Sequence, residues 1–342
     1  MTIRWKKRVI TGVQWGITIV AFWIIAREIS WKEIFILLNE LNYIFILTIG
    51  GVTILGFGTQ FSLWWVLLNK IKETPFLTVV RVDLVIKFVN HIVPSKASGH
   101  SIAPLVVKHY TETEWTDAVT ISGLNTGLYA TLYGLVSLCG LLLFFLRLPR
   151  ALTTVILFSS SMYAVVGLLV LLAGCRLELA GTVFNRIEQI VMIIPRFGNK
   201  LAGIVRKFPS FTEESAAVFH TLVSDPGVII PYALAWVGTL AVFPGIRVAL
   251  LLNGLGGSFT PLWLLPVALV MGYSVTVLPL TPGGVGVAEA SATLVLVSLG
   301  VNQEVAVAVI LVDRVFGIYL PALLGAIPMA DLDLSTLVST EQ

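Results

Sequence analysis

Three ionisable residues stand inside hydrophobic sequence toward the C-terminal end: Glu289, Asp313 and Arg314. Glu289 follows directly on Pro282-Gly283-Gly284-Val285-Gly286-Val287-Ala288, which breaks a long apolar run. A lone carboxylate in hydrocarbon costs roughly 2.5 kcal/mol or more, so Glu289 needs a partner or a proton. Arg314 is the expected partner. Asp313 is its sequence neighbour, and adjacent residues do not face each other on a helix. Two chemistries fit Glu289: a structural ion pair that fixes helix packing, or a site that reads a charged group or carries a proton. The glycines also have two readings. They permit a tight turn or close packing, or they expose backbone N–H groups at the start of a half-helix, where the dipole favours an anion such as a phosphate.

A second constellation lies earlier, in Phe88-Val-Asn-His-Ile-Val-Pro94 and the turn Pro94-Ser-Lys-Ala-Ser-Gly-His100. Asn90, Pro94, Lys96, Gly99 and His100 are its candidates. Lys96 can engage a phosphate and His100 can titrate near neutral pH, or both simply meet interfacial water. His91, His100 and His109 recur every nine residues, a spacing that does not share a helical face, so no metal site is expected. Arg247, beside Pro244, is expected to snorkel to an interface. There is no phosphate-binding Gly-Lys-Ser/Thr loop, zinc-ligand spacing or nucleophile elbow, so neither catalytic residue nor cofactor is expected.

Composition says what must hold these residues. Of 342 residues 57% are hydrophobic and only 12% charged, with a mean hydropathy of +0.94; soluble domains carry about 25% charged residues. The reading is an all-α polytopic membrane protein, with residues 1–342 forming one membrane domain. Net charge is only +3, which gives no case for nucleic acid. Cys139 and Cys175 read as packing thiols.

About seven to eight transmembrane helices are expected, two segments being broken or re-entrant. Basic residues Arg4 to Arg8 precede an uncleaved first span over 9–26, so the N-terminus is placed in the cytoplasm of a cell-membrane, multi-pass protein. An interfacial helix follows over 29–41. Spans are expected over 43–68, 118–146, 152–174, 228–252, 262–278 and 305–327. Residues 76–110 are too short and charged for a clean span and read as a re-entrant hairpin. The first half is 1–174, the second 226–330. Between them 175–225 is a basic, amphipathic cytoplasmic loop, and 331–342 a polar tail. Both turns, 94–100 and 282–286, are expected to be entered from the cytoplasmic half. Two Gly/Pro-interrupted segments in separate halves are the sequence pointer to a transport site and to a two-half repeat.

Pro282-Gly-Gly-Val-Gly-Val-Ala-Glu289, then Asp313-Arg314 and Gly325, resembles the lysylphosphatidylglycerol synthase transmembrane, or flippase-like, family. The Phe88–Gly99 stretch is similar to that family's upstream motif. The resemblance implies movement of a lipid headgroup, phospholipid or polyprenyl-linked, between leaflets, with membrane lipids as partners. Alternatives are a membrane-embedded transferase on a lipid carrier, or a non-catalytic partner of a membrane glycosyltransferase; a homo-oligomer is a further expected partner state. This chain departs from the family where His100 and Ala103 replace an acidic residue and an Arg, and where neutral Ser122-Gly123 replaces a Glu-Arg pair.

Overall fold

A computed structural model describes residues 42–92, 96–175, 207–278 and 280–329, with only the backbone described for 96–101 and 207–213 and at residues 91, 92 and 282. The expected first span, the interfacial helix, most of the basic loop and the polar tail lie outside the described residues.

Long apolar runs without charge become long helices. Five described helices are long and apolar enough to cross a membrane: α1 (Tyr43–Ile71), α4 (Trp115–Phe144), α5 (Arg150–Cys175), α7 (Pro226–Gly254) and α10 (Gln303–Met329). The chain is thus an all-α multi-pass membrane protein. Asn42 caps α1 through its side chain, and Asp225 and Asn302 do the same for α7 and α10, each accepting an otherwise orphaned N–H. Shorter helices fill the intervals: α2 (Phe76–Ile92), α3 (Lys96–Thr111), α6 (Lys207–Val223), α8 (Leu262–Val277) and α9 (Val287–Ser298).

Side-chain ties fix which helix ends lie together. Lys72 Nζ donates to the carbonyls of Thr111 and Glu112, so the α2–α3 hairpin begins and finishes at one end of the bundle. The Lys70–Asp225 ion pair (2.7 Å) and the bond from Tyr110 to the Pro328 carbonyl belong to that same end. At the opposite end Gly254 packs on Phe45 and Gly257 on Val305, which closes the mouth of the α8–α9 hairpin. The two hairpins therefore open at opposite ends, which corrects the expectation that both are entered from the cytoplasmic half. The reason is local. Leu262–Leu278 has the hydropathy of a full span, but its helix tightens at Ser274–Val277 and stops at the glycine turn.

Between lipid-like surfaces, helix association depends on close packing and interhelical hydrogen bonds rather than on water exclusion. Helices α4 and α5 pack backbone to backbone where Gly134 faces Ala164 and Gly167 faces Thr131. Ser137 pairs with Ser160 (2.5 Å) and Ser159 with Ser274 (2.9 Å), all four hydroxyls fully buried. The apolar interior divides into two clusters. One gathers Leu67, Val82, Val106, Ile121 and Tyr232; the other gathers Leu141, Val248, Leu269, Val295 and Val309. Buried charges belong to neither.

Candidate functional site

The turn between α8 and α9 needs its glycines for conformation. Gly283, Gly284 and Gly286 have φ of 62°, 74° and 81°, a region that side chains bearing a Cβ rarely enter. The turn delivers Glu289 into the first turn of α9, where it is 6% exposed. Glu289 Oε2 accepts from Gly286 N at 2.7 Å, so the carboxylate caps its own helix. Its other oxygen accepts from Arg314 Nε at 2.7 Å and from the Tyr319 hydroxyl at 2.5 Å. The expected Glu289–Arg314 pair is present.

Arg314 is 5% exposed, and its guanidinium carbon lies 5.4 Å from the Tyr273 ring centroid and 5.5 Å from that of Tyr319. Flanking rings attract the cation through their faces. Nη2 is buried and has no hydrogen-bond partner among the described residues. Arg314 lies eleven helical steps from Gln303, about 16 Å along the axis. That is roughly half of a 30 Å hydrocarbon layer.

Asp313 points elsewhere, as adjacency on a helix requires. Its Oδ1 accepts from Arg247 Nε at 2.6 Å and lies 2.6 Å from Arg247 Nη2 in the ion pair, and its Oδ2 accepts from Tyr273 at 2.9 Å. Arg247 is 5% exposed, which corrects the snorkelling expectation: a buried carboxylate, not an interface, holds it. Sequence reasoning missed Arg247, Tyr273 and Tyr319 as members of the site. The available signal was Arg247 itself, an uncompensated cation inside a long apolar segment, which calls for a named partner.

A third group sits on α1 and α2. Gln60 Nε2 donates to Asp83 at 2.6 Å, and Lys87 lies 3.7 Å from the same carboxylate oxygen. Helix α2 also borders the Pro282–Gly284 turn and the end of α10, where Gly325 meets the Leu84 carbonyl and Phe88.

The sequence candidates thus divide. Pro282, Gly283, Gly284, Gly286, Glu289 and Arg314 come together, and Asp313 adjoins them through Tyr273. Asn90 lies on α2, with a buried Oδ1 that has no partner. Lys96, Gly99 and His100 form the first turn of α3, of which only the backbone is described, and Pro94 is outside the described residues. Among the described residues no three His, Cys, Asp or Glu side chains converge as metal ligands would.

The motif pair and its order along the chain can now be compared with known proteins. A family model for the lysylphosphatidylglycerol synthase TM region matches residues 10–325. The chain belongs to that family. No curated protein and no solved structure matches it. The family assignment agrees with the resemblance carried by Pro282–Glu289 and Asp313–Arg314, and it accounts for a membrane domain in which both lie on consecutive helices. Ser122 is buried on α4 with an unpartnered hydroxyl, a position where a Glu would need a compensating cation.

Proposed function

We propose that this member of the family translocates a phosphate-bearing lipid between leaflets, with the headgroup passing Arg314 while the tails stay in the bilayer. The observation that carries this reading is the buried Arg314 Nη2, a charged donor at mid-depth with no acceptor among the described residues. A guanidinium held by Glu289 through Nε and flanked by two tyrosines is pre-oriented, so little rotamer entropy remains to be lost when a phosphate oxygen arrives. The turn glycines contribute by placing Glu289 rather than by binding the anion, because Glu289 already occupies Gly286 N.

Chain order supports transport. Span, hairpin, span recurs as α1, α2–α3, α4 and again as α7, α8–α9, α10, with the hairpins opening at opposite ends. We read these as two inverted halves with re-entrant tips that approach each other at depth. Such an arrangement supports alternating access around a midplane site. Positive residues before the first span and in 176–206 support a cytoplasmic Lys70–Asp225 end. On this reading the first hairpin is entered from the cytoplasm and the second from the other side.

The test is a leaflet-accessibility assay with purified protein in liposomes, using a fluorescent phospholipid quenched from outside. The protein should accelerate loss of the protected inner-leaflet pool, and Arg314→Gln should abolish the acceleration. Equal rates with and without protein across a broad lipid panel would sink the proposal.

A further inference from the structure

Asp83 and Lys87 play no part in the headgroup reading, yet Lys87 stands at its depth. Lys87 lies eleven helical steps from Phe76, where α2 begins, and Arg314 lies eleven from Gln303, where α10 begins. Those two starts belong to opposite ends of the bundle. Each cation is therefore about 16 Å in from its own end, and both reach the middle of a layer roughly 30 Å thick. Among the described residues the interior holds three carboxylates, Asp83, Glu289 and Asp313, against three cations, Lys87, Arg247 and Arg314. Two pairs are tight, Arg247–Asp313 at 2.6 Å and Arg314–Glu289 at 2.7 Å. The third is looser. Lys87 Nζ stands 3.7 Å from Asp83 Oδ2, beyond hydrogen-bond distance, and that oxygen accepts from the neutral Gln60 amide at 2.6 Å.

Few other charges face Asp83. Tyr43 and Lys70, at its two ends, are the titratable residues of α1, and neither the Pro282–Gly284 turn nor Leu320–Met329 carries one. Arg81, two residues away on α2, is exposed. On α3, Lys108, His109 and Tyr110 sit at the Lys72 end, and Lys96 and His100 are in the first turn. Tyr129 of α4 acts electrostatically on Asp83, and Arg247 of α7 on Lys87.

A headgroup with one net negative charge would leave this balanced interior one charge too negative, where low dielectric makes the excess unfavourable. We infer that Asp83 takes up one proton for each net-anionic headgroup bound, so that lipid and proton cross together as a neutral pair. The inference rests on the headgroup reading above and adds its coupling ion. The proton comes from water and forms an O–H bond at Asp83 Oδ1, while Oδ2 keeps the Gln60 donor; no other covalent bond is made or broken. Lys87 keeps its charge and, on a flexible four-carbon stem, exchanges the neutralised carboxylate for the phosphate at its own depth. Glu289 and Asp313 are less suited, because each is hydrogen-bonded directly to an arginine, whose charge cannot be removed.

The experiment counts protons. Purified protein in detergent is titrated with phosphatidylglycerol in weakly buffered solution containing a pH indicator, and affinity is measured across a pH series. One proton should be taken up per lipid bound. By linkage, affinity should rise about tenfold for each unit of acidification over the range where Asp83 is ionised in the lipid-free protein. In proteoliposomes an imposed pH gradient should drive the lipid toward the alkaline side, and an imposed membrane potential should not, because the moving pair is neutral. Phosphatidylcholine carries no net charge and should bind without proton uptake; uptake with it as well would overturn the charge-balance argument. Asp83→Asn keeps an acceptor for Gln60 and should remove both the proton uptake and the pH slope. The charge-balanced Asp83→Asn/Lys87→Gln variant is run beside it in case the single variant folds poorly. A slope that survives in either folded variant overturns the role of Asp83, as does its loss in His100→Gln alone. Phosphatidylglycerol that binds and moves with no proton uptake and no response to the gradient overturns the inference and leaves translocation intact. If it neither binds nor moves, the headgroup reading fails and the coupling falls with it.

Discussion

Gly317 leaves the space that the Arg247 guanidinium fills: a Cβ built on Gly317 would lie 2.5 Å from Arg247 Nη2. The contact joins α7 to α10 beside the Arg247–Asp313 ion pair. It falls in a stretch, Val315–Tyr319, where the helix widens to i→i+5 bonding, and α7 carries a matching stretch at Gly238–Val242. Such widened turns are rare and occur most often at functional sites. Here one of them seats a buried cation.

Gly317→Ala should therefore be costly. Arg247 can yield only by leaving Asp313, and breaking a buried ion pair costs about 3–5 kcal/mol. Gly123→Ala is the matched control on another span, since nothing lies within 4 Å of a Cβ there; helix propensity predicts a gain of up to about 1 kcal/mol. Thermal unfolding in one detergent should rank Gly123→Ala at or above the parent and Gly317→Ala well below it. Parity of the two would show that Arg247 is not confined.

The Arg247–Asp313 pair should behave as a matched unit. Arg247→Gln alone strands the Asp313 carboxylate and should destabilise by about 3–5 kcal/mol, while Arg247→Gln/Asp313→Asn should recover most of the loss. A double-mutant cycle on unfolding free energies measures the coupling, expected at about 1–3 kcal/mol. Because the introduced amide oxygen still offers Tyr273 an acceptor, lipid transfer should survive in the double variant. Loss of transfer with the fold intact would instead place the Asp313 charge in the transport step.

These outcomes mark what could be read from the chain alone. Glu289 and Arg314 were legible as a pair because hydrocarbon makes an unpaired carboxylate expensive and Arg314 is a cation on a neighbouring apolar segment. The break at Pro282–Gly286 was legible from composition. Arg247 was not, because the span expected over 228–252 names no carboxylate for it, and only the packing of α7 on α10 brings Asp313 to its guanidinium. Hairpin direction was hidden for a similar reason. Hydropathy registers that Leu262–Leu278 is apolar but not that it turns back within the bundle, and one miscounted crossing reverses every later assignment. Tyr273 and Tyr319 carry no hydropathic mark at all; their roles follow from the distances to Arg314 and Asp313.

Acid unfolding tests the end of the bundle rather than its interior. Asp225 is partly exposed, and its carboxyl is held below the usual range first by the hydrogen bond from Lys70 and then by the Gly227 N–H. A carboxyl lowered in the folded state contributes stability that is complete above its unfolded value, about 3.9, and is lost as pH falls through the folded value. This pair should therefore add no slope to stability between about pH 5 and about pH 8, and a loss only in stronger acid. Asp225→Asn retains an acceptor for the Gly227 cap and removes only the ion pair, so its unfolding curve should differ little from the parent near neutrality and lose the acid-limb component. A marked destabilisation of Asp225→Asn near neutrality would mean the Lys70 contact does more than a screened surface pair.

Two glycine contacts separate backbone from side-chain packing by whether a second substitution rescues them. At Gly140 on α4 an added Cβ would meet Val267 Cγ1 at 2.9 Å. Overpacking of this kind costs about 1–3 kcal/mol, and Val267→Ala removes the obstructing methyl, so Gly140→Ala/Val267→Ala should regain most of the stability lost by Gly140→Ala. At Gly325 on α10 the nearest atoms to a new Cβ are the Leu84 carbonyl oxygen and carbon of α2, with Phe88 Cβ after them. Trimming Phe88 cannot move that carbonyl, so Gly325→Ala/Phe88→Ala should remain as destabilised as Gly325→Ala or more. Since α2 also borders the Pro282–Gly284 turn, prising α10 from α2 should slow lipid transfer in the fraction that still folds, whereas Gly140→Ala, at the far end of α4, should not. Rescue of Gly325→Ala by Phe88→Ala would show that α10 reaches α2 through side chains, and would remove the rigid contact that this account places beside the headgroup path.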